Sequence, residues 1–587
     1  MKQFFKSVFA SMFGVLMGVL VLVIVGSFVF TGIMASSIGE SEYKPKQNTV
    51  FKLVLDGAIV ENSVSNPLLE LLGEKESMSL SKILRSVRLA KENDNIKGIY
   101  LETANTASST ATLNAIREAL EDFKESGKFI ISYADSYTQG GYYVASVADS
   151  VFVNPLGRVE LHGLSSVGLF YTGLADKIGV DFEIFKVGTF KGAVEPYFLK
   201  KFSDENREQI SSYQASVWKN ITSKILASRP IGEEQLTAFI NEGKFFEEGQ
   251  ATVDMKLTDG VRYRSDVENL VKVKAGQDVD GKLIVANTNK MGMLKDKKKV
   301  KADKIAILYA EGQIMEQISG MGGSTQLITE KVGDELQKLA KDDEIKAVVF
   351  RVNSPGGSAY ISEQIWKKVI ELKEKKPVVV SMGTYAASGG YYISCGANKI
   401  VAEPTTLTGS IGVFGILPNS AGLFDKVGLT TDVVKTNPLA DIGNMSRPMT
   451  DSEKAIIQAS VERTYDLFIS RCAEGRGMTK NEIDFIGQGR VWTGEQALER
   501  GLVDKLGGVD TAIEEAALLA DLDDYSVIAY NSNKDFLTEL LESKLEEIKI
   551  SLIKSYLGDK YETFKLIHSA TPQTGIQALM PVGIEAM

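Results

Sequence analysis

Residues 385–395 read YAASGGYYISC and place one serine, Ser388, between an alanine and two glycines. A serine at a small-residue turn leading into a helix has an accessible hydroxyl. Its neighbouring N–H groups sit near the positive end of the helix, where a developing oxyanion is stabilised. The same pattern also suits an ordinary helix cap, because serine is a favoured N-cap residue. A nucleophilic serine needs a base. Carboxylates accept a proton from an alcohol poorly, and the only histidines are His162 and His568. A histidine-based triad and a multi-histidine metal site are therefore poorly supplied. A desolvated, neutral lysine can serve, and Lys191 in FKVGTFKGAVEPY follows a Gly-Thr turn. Taken alone, Lys191 reads as a solvated loop lysine.

A second observation joins these two residues. Residues 136–146, SYTQGGYYVAS, repeat the serine motif with Gln139 in place of Ser388, at an offset of 249 residues. NIKGIYLE (95–102) and EIKAVVFR (344–351) match at the same offset, and collinear matches continue to about residue 188. At that offset Ala440 falls opposite Lys191. The first copy thus keeps the lysine and lacks the serine, and the second keeps the serine and lacks the lysine. The second copy also carries RVNSPGG (351–357), whose glycines leave backbone amides accessible as a further oxyanion element, where the first reads ETANTAS.

The elements that must position these residues follow from the pattern. Within each copy, apolar strand-like runs alternate with helical stretches such as SEQIWKKVIELKEKK, the signature of an α/β module with a largely parallel sheet. Ligands of such sheets gather at the carboxyl ends of strands, and Ser388 follows one such run, VVVSMGTYAA. The expected organisation is an N-terminal anchor over 1–45, a repeat supplying the lysine over 46–286, and a lysine-rich linker over 287–303. A repeat supplying the serine over 304–530 and a helical extension and tail over 531–587 complete it. The chain of 587 residues, 44% hydrophobic and 24% charged, reads as multidomain globular protein. Its net charge of −10 argues against a nucleic-acid partner, and its two cysteines exclude a disulfide framework. No feature calls for a cofactor. From Ser7 to Gly39 there is no charged residue, with Lys2 and Lys6 before the stretch and Glu40 and Glu42 after it. This exceeds the roughly 20 apolar residues that span a bilayer and predicts a single transmembrane helix with a cytoplasmic N-terminus. An MAS sequence near its end leaves signal-peptide cleavage as the alternative. The segment 538–557 has an amphipathic helical pattern, for the core or for a subunit or bilayer contact.

Taken together, RVNSPGG, ASGGYY and TLTGSIGV resemble the bacterial signal peptide peptidases, in particular their long, duplicated, membrane-anchored form, over nearly the whole chain. The resemblance implies a tandem pair of modules of the Clp protease/crotonase fold and a serine-lysine dyad peptidase. Carried over by motif, Ser388 matches the nucleophile, Lys191 the general base, and Ser410 the serine that positions the lysine. Gly389 and either Gly356 or Gly357 match the oxyanion donors. The implied substrates are remnant signal peptides and other short or unfolded apolar peptides. The implied assembly is a homo-oligomer, a tetramer by family resemblance. The implied location is a bacterial inner membrane, with the catalytic body on the periplasmic or outer face. An acyl-CoA enzyme on the same fold and an inactive membrane scaffold are the rival readings.

Overall fold

The computed structural model describes residues 43–62, 78–295, 301–316, 327–530 and 575–580, with isolated positions at 6, 13–14, 17–18 and 21. The apolar N-terminal stretch lies almost wholly outside these residues, and the 538–557 segment entirely so. Among the described residues, no helix is long and apolar enough to cross a membrane.

The apolar runs of each copy become parallel strands covered on both faces, which is why they are nearly continuous rather than alternating. In the first copy, Thr49–Gly57, Ile96–Thr106, Phe129–Ala134 and Ser150–Val153 lie side by side, extended by short strands at Gly260–Val261 and Val285–Ala286. Phe51, Leu53 and Leu55 pack on one face against helices Leu80–Glu92 and Thr110–Lys124. Val50, Tyr100 and Tyr133 face the other way, onto helix Arg264–Ala275. The second copy repeats the arrangement with Lys304–Glu311, Ile345–Ser354 and Val378–Ala387. Helices Lys331–Lys341 and Ala359–Lys373 cover one face and Val509–Leu519 the other.

Two features join the copies. Strand Asp181–Val187 of the first copy pairs antiparallel with Val413–Asn419 of the second, in register from Val413 opposite Val187 to Asn419 opposite Asp181. The loop that follows Val187 is thereby carried to the end of strand Val378–Ala387. A buried bidentate ion pair also crosses the junction: Arg351 Nε and Nη2 donate to the Glu61 carboxylate at 2.9 and 3.0 Å. Arg351 Nη1 donates to Ser381 Oγ at 2.9 Å and to the Met382 carbonyl at 2.8 Å, so every guanidinium nitrogen has a partner. The last described segment, Gly575–Leu579, is a strand inserted between Gly356–Ser358 and Val413–Asn419.

Candidate active site

Ser388 terminates strand Val378–Ala387 and precedes the short helix Gly389–Ser394. Its backbone has φ 55° and ψ −114°, a conformation costly for a residue with a Cβ. Donation from Ser388 N–H to the Gly409 carbonyl at 2.8 Å fixes the turn. Ser410 also has positive φ, 50°, and its N–H donates to the Arg490 carbonyl at 2.7 Å. Both serines are fully buried.

Lys191 arrives from the other copy. Its loop is clamped by donation from Phe190 N–H to the Gln488 carbonyl at 2.8 Å. Gln209 ties the two copies further: its Nε2 donates to the Phe190 carbonyl at 2.8 Å and its Oε1 accepts from Val491 N–H at 3.0 Å. Gly489, at φ 77°, lies so close that a Cβ there would fall 2.8 Å from Lys191 N and Cβ, so glycine is required.

In this setting Lys191 Nζ lies 2.8 Å from Ser388 Oγ and donates to Ser410 O and Oγ at 3.1 Å each. The side chain is fully buried, and burial alone pushes its pKa well below that of a free lysine. A neutral amine has two N–H donors and one lone pair. With both donors directed at Ser410, the lone pair is left for the Ser388 hydroxyl proton. The arrangement can therefore remove a proton from Ser388 without a histidine.

The glycine loop supplies the complementary electrostatics. Gly356 and Gly357 have φ 107° and 150°, values that favour glycine. Gly356 N–H donates to Ser354 Oγ at 3.2 Å. Gly357 N lies 3.1 Å from where a Cβ on Gly389 would be, so the Gly357 and Gly389 backbones converge beside Ser388. Sequence left the choice between the two loop glycines open; in the structure Gly356 N–H is taken up by Ser354, and Gly357 pairs with Ala578 of the inserted strand.

The first copy shows what replaces a nucleophile. Gln139 turns inward, its Oε1 accepting from His162 N–H at 3.1 Å and Gly163 N–H at 2.9 Å while Nε2 donates to the Gly163 carbonyl at 3.2 Å. The side chain fills the degenerate turn with its own hydrogen bonds. Ala440, opposite Lys191 in the repeat, is exposed. His162 lies outside the Ser388 site, and His568 lies outside the described residues. The supporting role of Gly489 and Gln209 escaped sequence reasoning; the glycines of IGQGR were its only trace.

Comparison with known proteins places these observations. The family model described as Peptidase family S49 matches residues 122–278 and again 370–523, and the Clp protease model matches 297–406. The chain is 36% identical to Protease 4 of Salmonella typhi over 523 residues, 85% of this chain and 83% of the relative. It is 32% identical to Protease 4 of Haemophilus influenzae over 90% of this chain and 89% of the relative. The putative signal peptide peptidase SppA of Enterococcus faecium is 37% identical over 215 residues, 36% of this chain and 62% of the relative. The fold is thus a Clp protease-like α/β fold with a duplicated module.

Proposed function

The chain belongs to peptidase family S49 and is a serine protease; from that premise we propose that it is a membrane-anchored endopeptidase in which Lys191 of one repeat deprotonates Ser388 of the other. Its substrates are cleaved signal peptides and other short or unfolded apolar peptides; the name of the Enterococcus faecium relative, a putative signal peptide peptidase, supports the first of these. The observation that carries the reading is the 2.8 Å approach of Lys191 Nζ to Ser388 Oγ within a fully buried site.

Ser388 Oγ attacks the peptide carbonyl as its proton passes to Lys191. The N–H groups of Gly389 and Gly357 hold the oxyanion, and Gly356 shapes their loop. Lys191 then protonates the leaving amine, and the Ser388 ester forms. Water gives a proton to the same lysine and attacks the ester; as the second product leaves, the lysine returns that proton to Ser388 Oγ. Ser410 holds two lysine N–H groups, which keeps the nitrogen's remaining position, lone pair or transferred proton, directed at Ser388. Because each copy holds one half of the dyad, neither is active alone.

The anchor is the uncharged Ser7–Gly39 stretch, with the N-terminus in the cytoplasm of a bacterium and the catalytic body on the outer face of the inner membrane. A homo-oligomer, a tetramer by family resemblance, is supported by two open edges. The Asp181–Val187 and Val413–Asn419 pair has counterparts 249 residues away, at 430–436 and 164–170, and neither is a strand. They expose Val167, Leu169, Val433 and Val434 instead.

A fluorophosphonate probe tests the nucleophile. It labels the wild type on the peptide containing Ser388 and leaves Ser388→Ala unlabelled, and Lys191→Ala reacts far more slowly. Equal labelling of the wild type and Lys191→Ala overturns the assignment of the base.

A further inference from the structure

Cys395 and Cys472 are both fully buried. Cys395 caps the short helix Gly389–Ser394 that begins beside Ser388, and Cys472 lies on the long helix Asp451–Arg476. Two contacts between these helices bracket the thiols. The rings of Tyr392 and Phe468 stack with centroids 4.4 Å apart. A Cβ on Gly475 would fall 2.0 Å from the Cys395 carbonyl oxygen and 3.1 Å from Gly396 Cα, an approach that glycine permits. Cys472 follows Phe468 by four residues and precedes Gly475 by three, so all three share one face of their helix. Cys395 follows Tyr392 by three residues and adjoins Gly396. The two thiols therefore face each other between the stacked rings and the backbone contact. Burial pushes the Cys472 thiol well above its ordinary pKa, and a hydrogen bond with Cys395 adds to the rise.

The first copy joins the corresponding helices by other means. At the offset of 249 residues, Ser146 stands for Cys395 and Arg117 for Trp366. Arg117 is fully buried, and its Nη1 donates to Ser146 Oγ at 2.6 Å. Its Nη2 donates to the Lys224 carbonyl at 3.0 Å and to Ser228 Oγ. Counted from the N-caps Ser203 and Thr450, Ser228 corresponds to Gly475 and Ile225 to Cys472. One copy thus links its two helices through an arginine. The other brings them into direct contact, with a thiol on each side.

We propose that Cys395 and Cys472 form a disulfide in the exported protein, stapling the helix after the nucleophile to helix Asp451–Arg476. The inference rests on the outward location proposed above, because disulfides persist in oxidising compartments. Helix Asp451–Arg476 is also tied to the strand that leads to Lys191, with Lys454 Nζ 2.9 Å from the Glu183 carboxylate. The oxidant is a disulfide of the thiol-oxidase class. One cysteine thiolate attacks a sulfur of that disulfide, and the other sulfur leaves as a thiolate. The second cysteine then displaces the oxidant from the mixed disulfide, closing the Cys395–Cys472 bond. The pair loses two electrons and two protons, and the oxidant departs as two thiols. Thiols buried in apolar surroundings are inert, so the bond forms during folding, before the site closes.

The test uses the full-length protein taken from its membrane, with free thiols blocked by N-ethylmaleimide in denaturant. Peptides are then identified by mass with and without reduction. Expected is a peptide pair joined through Cys395 and Cys472, released by reduction, with no maleimide on either residue. In detergent, Cys395→Ala, Cys472→Ala and the double variant are expected to lose the same few degrees of thermal midpoint. Once one cysteine is gone the bond is gone, and the second change has little left to remove. Losses that add in the double variant overturn the staple. A sample of the wild type is also held with oxidised glutathione near the onset of melting, where buried thiols open to reagent. Thiols that are free as isolated but link under glutathione keep the pairing and overturn the outward location. Thiols that stay free in both samples overturn the disulfide.

Discussion

At the residue scale, the account turns on a lysine kept neutral. Burial disfavours the ammonium form, so activity rises with pH as Lys191 loses its proton and reaches a plateau below the ordinary lysine pKa of about 10.4. The pH dependence of kcat/KM checks this. Stability has the opposite interest. Between the lowered folded-state pKa and the unfolded value of about 10.4, the unfolded chain holds a proton on this lysine and the folded chain does not. Lowering the pH through that window favours the unfolded state. Lys191→Met is therefore expected to raise the thermal midpoint at pH 7, a gain that shrinks as pH climbs towards 10, while kcat falls roughly 10²–10⁴-fold, the usual contribution of a general base. Scanning calorimetry at several pH values follows the first effect and steady-state kinetics the second.

At the element scale, the turn after strand Val378–Ala387 holds Ser388 where glycine is at ease. Ser388→Gly is expected to be more stable than Ser388→Ala by about 1–3 kcal/mol, the usual cost of a strained backbone position. Both variants are inactive; urea unfolding distinguishes them. This turn was legible because the repeat supplied a control: Gln139 stood where Ser388 should be, and Lys191 and Ala440 showed the reverse asymmetry. Much of the sheet was legible too, since strands buried on both faces announce themselves as apolar runs. The cross-copy ladder between Asp181–Val187 and Val413–Asn419 was not, because neither strand's sequence names a partner more than 200 residues away. Gln209 and Gly489 were hidden for the same reason: each acts through a backbone brought near only by that pairing. Ser410 reads as an ordinary turn serine without the family resemblance, and only its contact with Lys191 shows what it touches.

At the scale of the whole molecule, the copies work only when locked together. Removing one partner of the buried Glu61–Arg351 pair leaves an uncompensated charge. Glu61→Gln is therefore expected to cost about 3–5 kcal/mol in chemical denaturation. Assembly makes its own prediction. Transferring the intrachain register of Ile416 opposite Ile184 by the repeat offset of 249 residues puts Val167 of one protomer opposite Val433 of the next. Val167→Cys combined with Val433→Cys should give disulfide-linked multimers on non-reducing gels, whereas either change alone should not. The claim on which all of this depends is that one repeat supplies the nucleophile and the other its base. The most direct measurement compares wild type, Ser388→Ala and Lys191→Ala on a fluorogenic peptide with an apolar residue before the scissile bond, across pH, with products identified by mass. The account predicts cleavage by the wild type and loss of nearly all activity in both variants. A Lys191→Ala enzyme that still cleaves at the wild-type rate would contradict it.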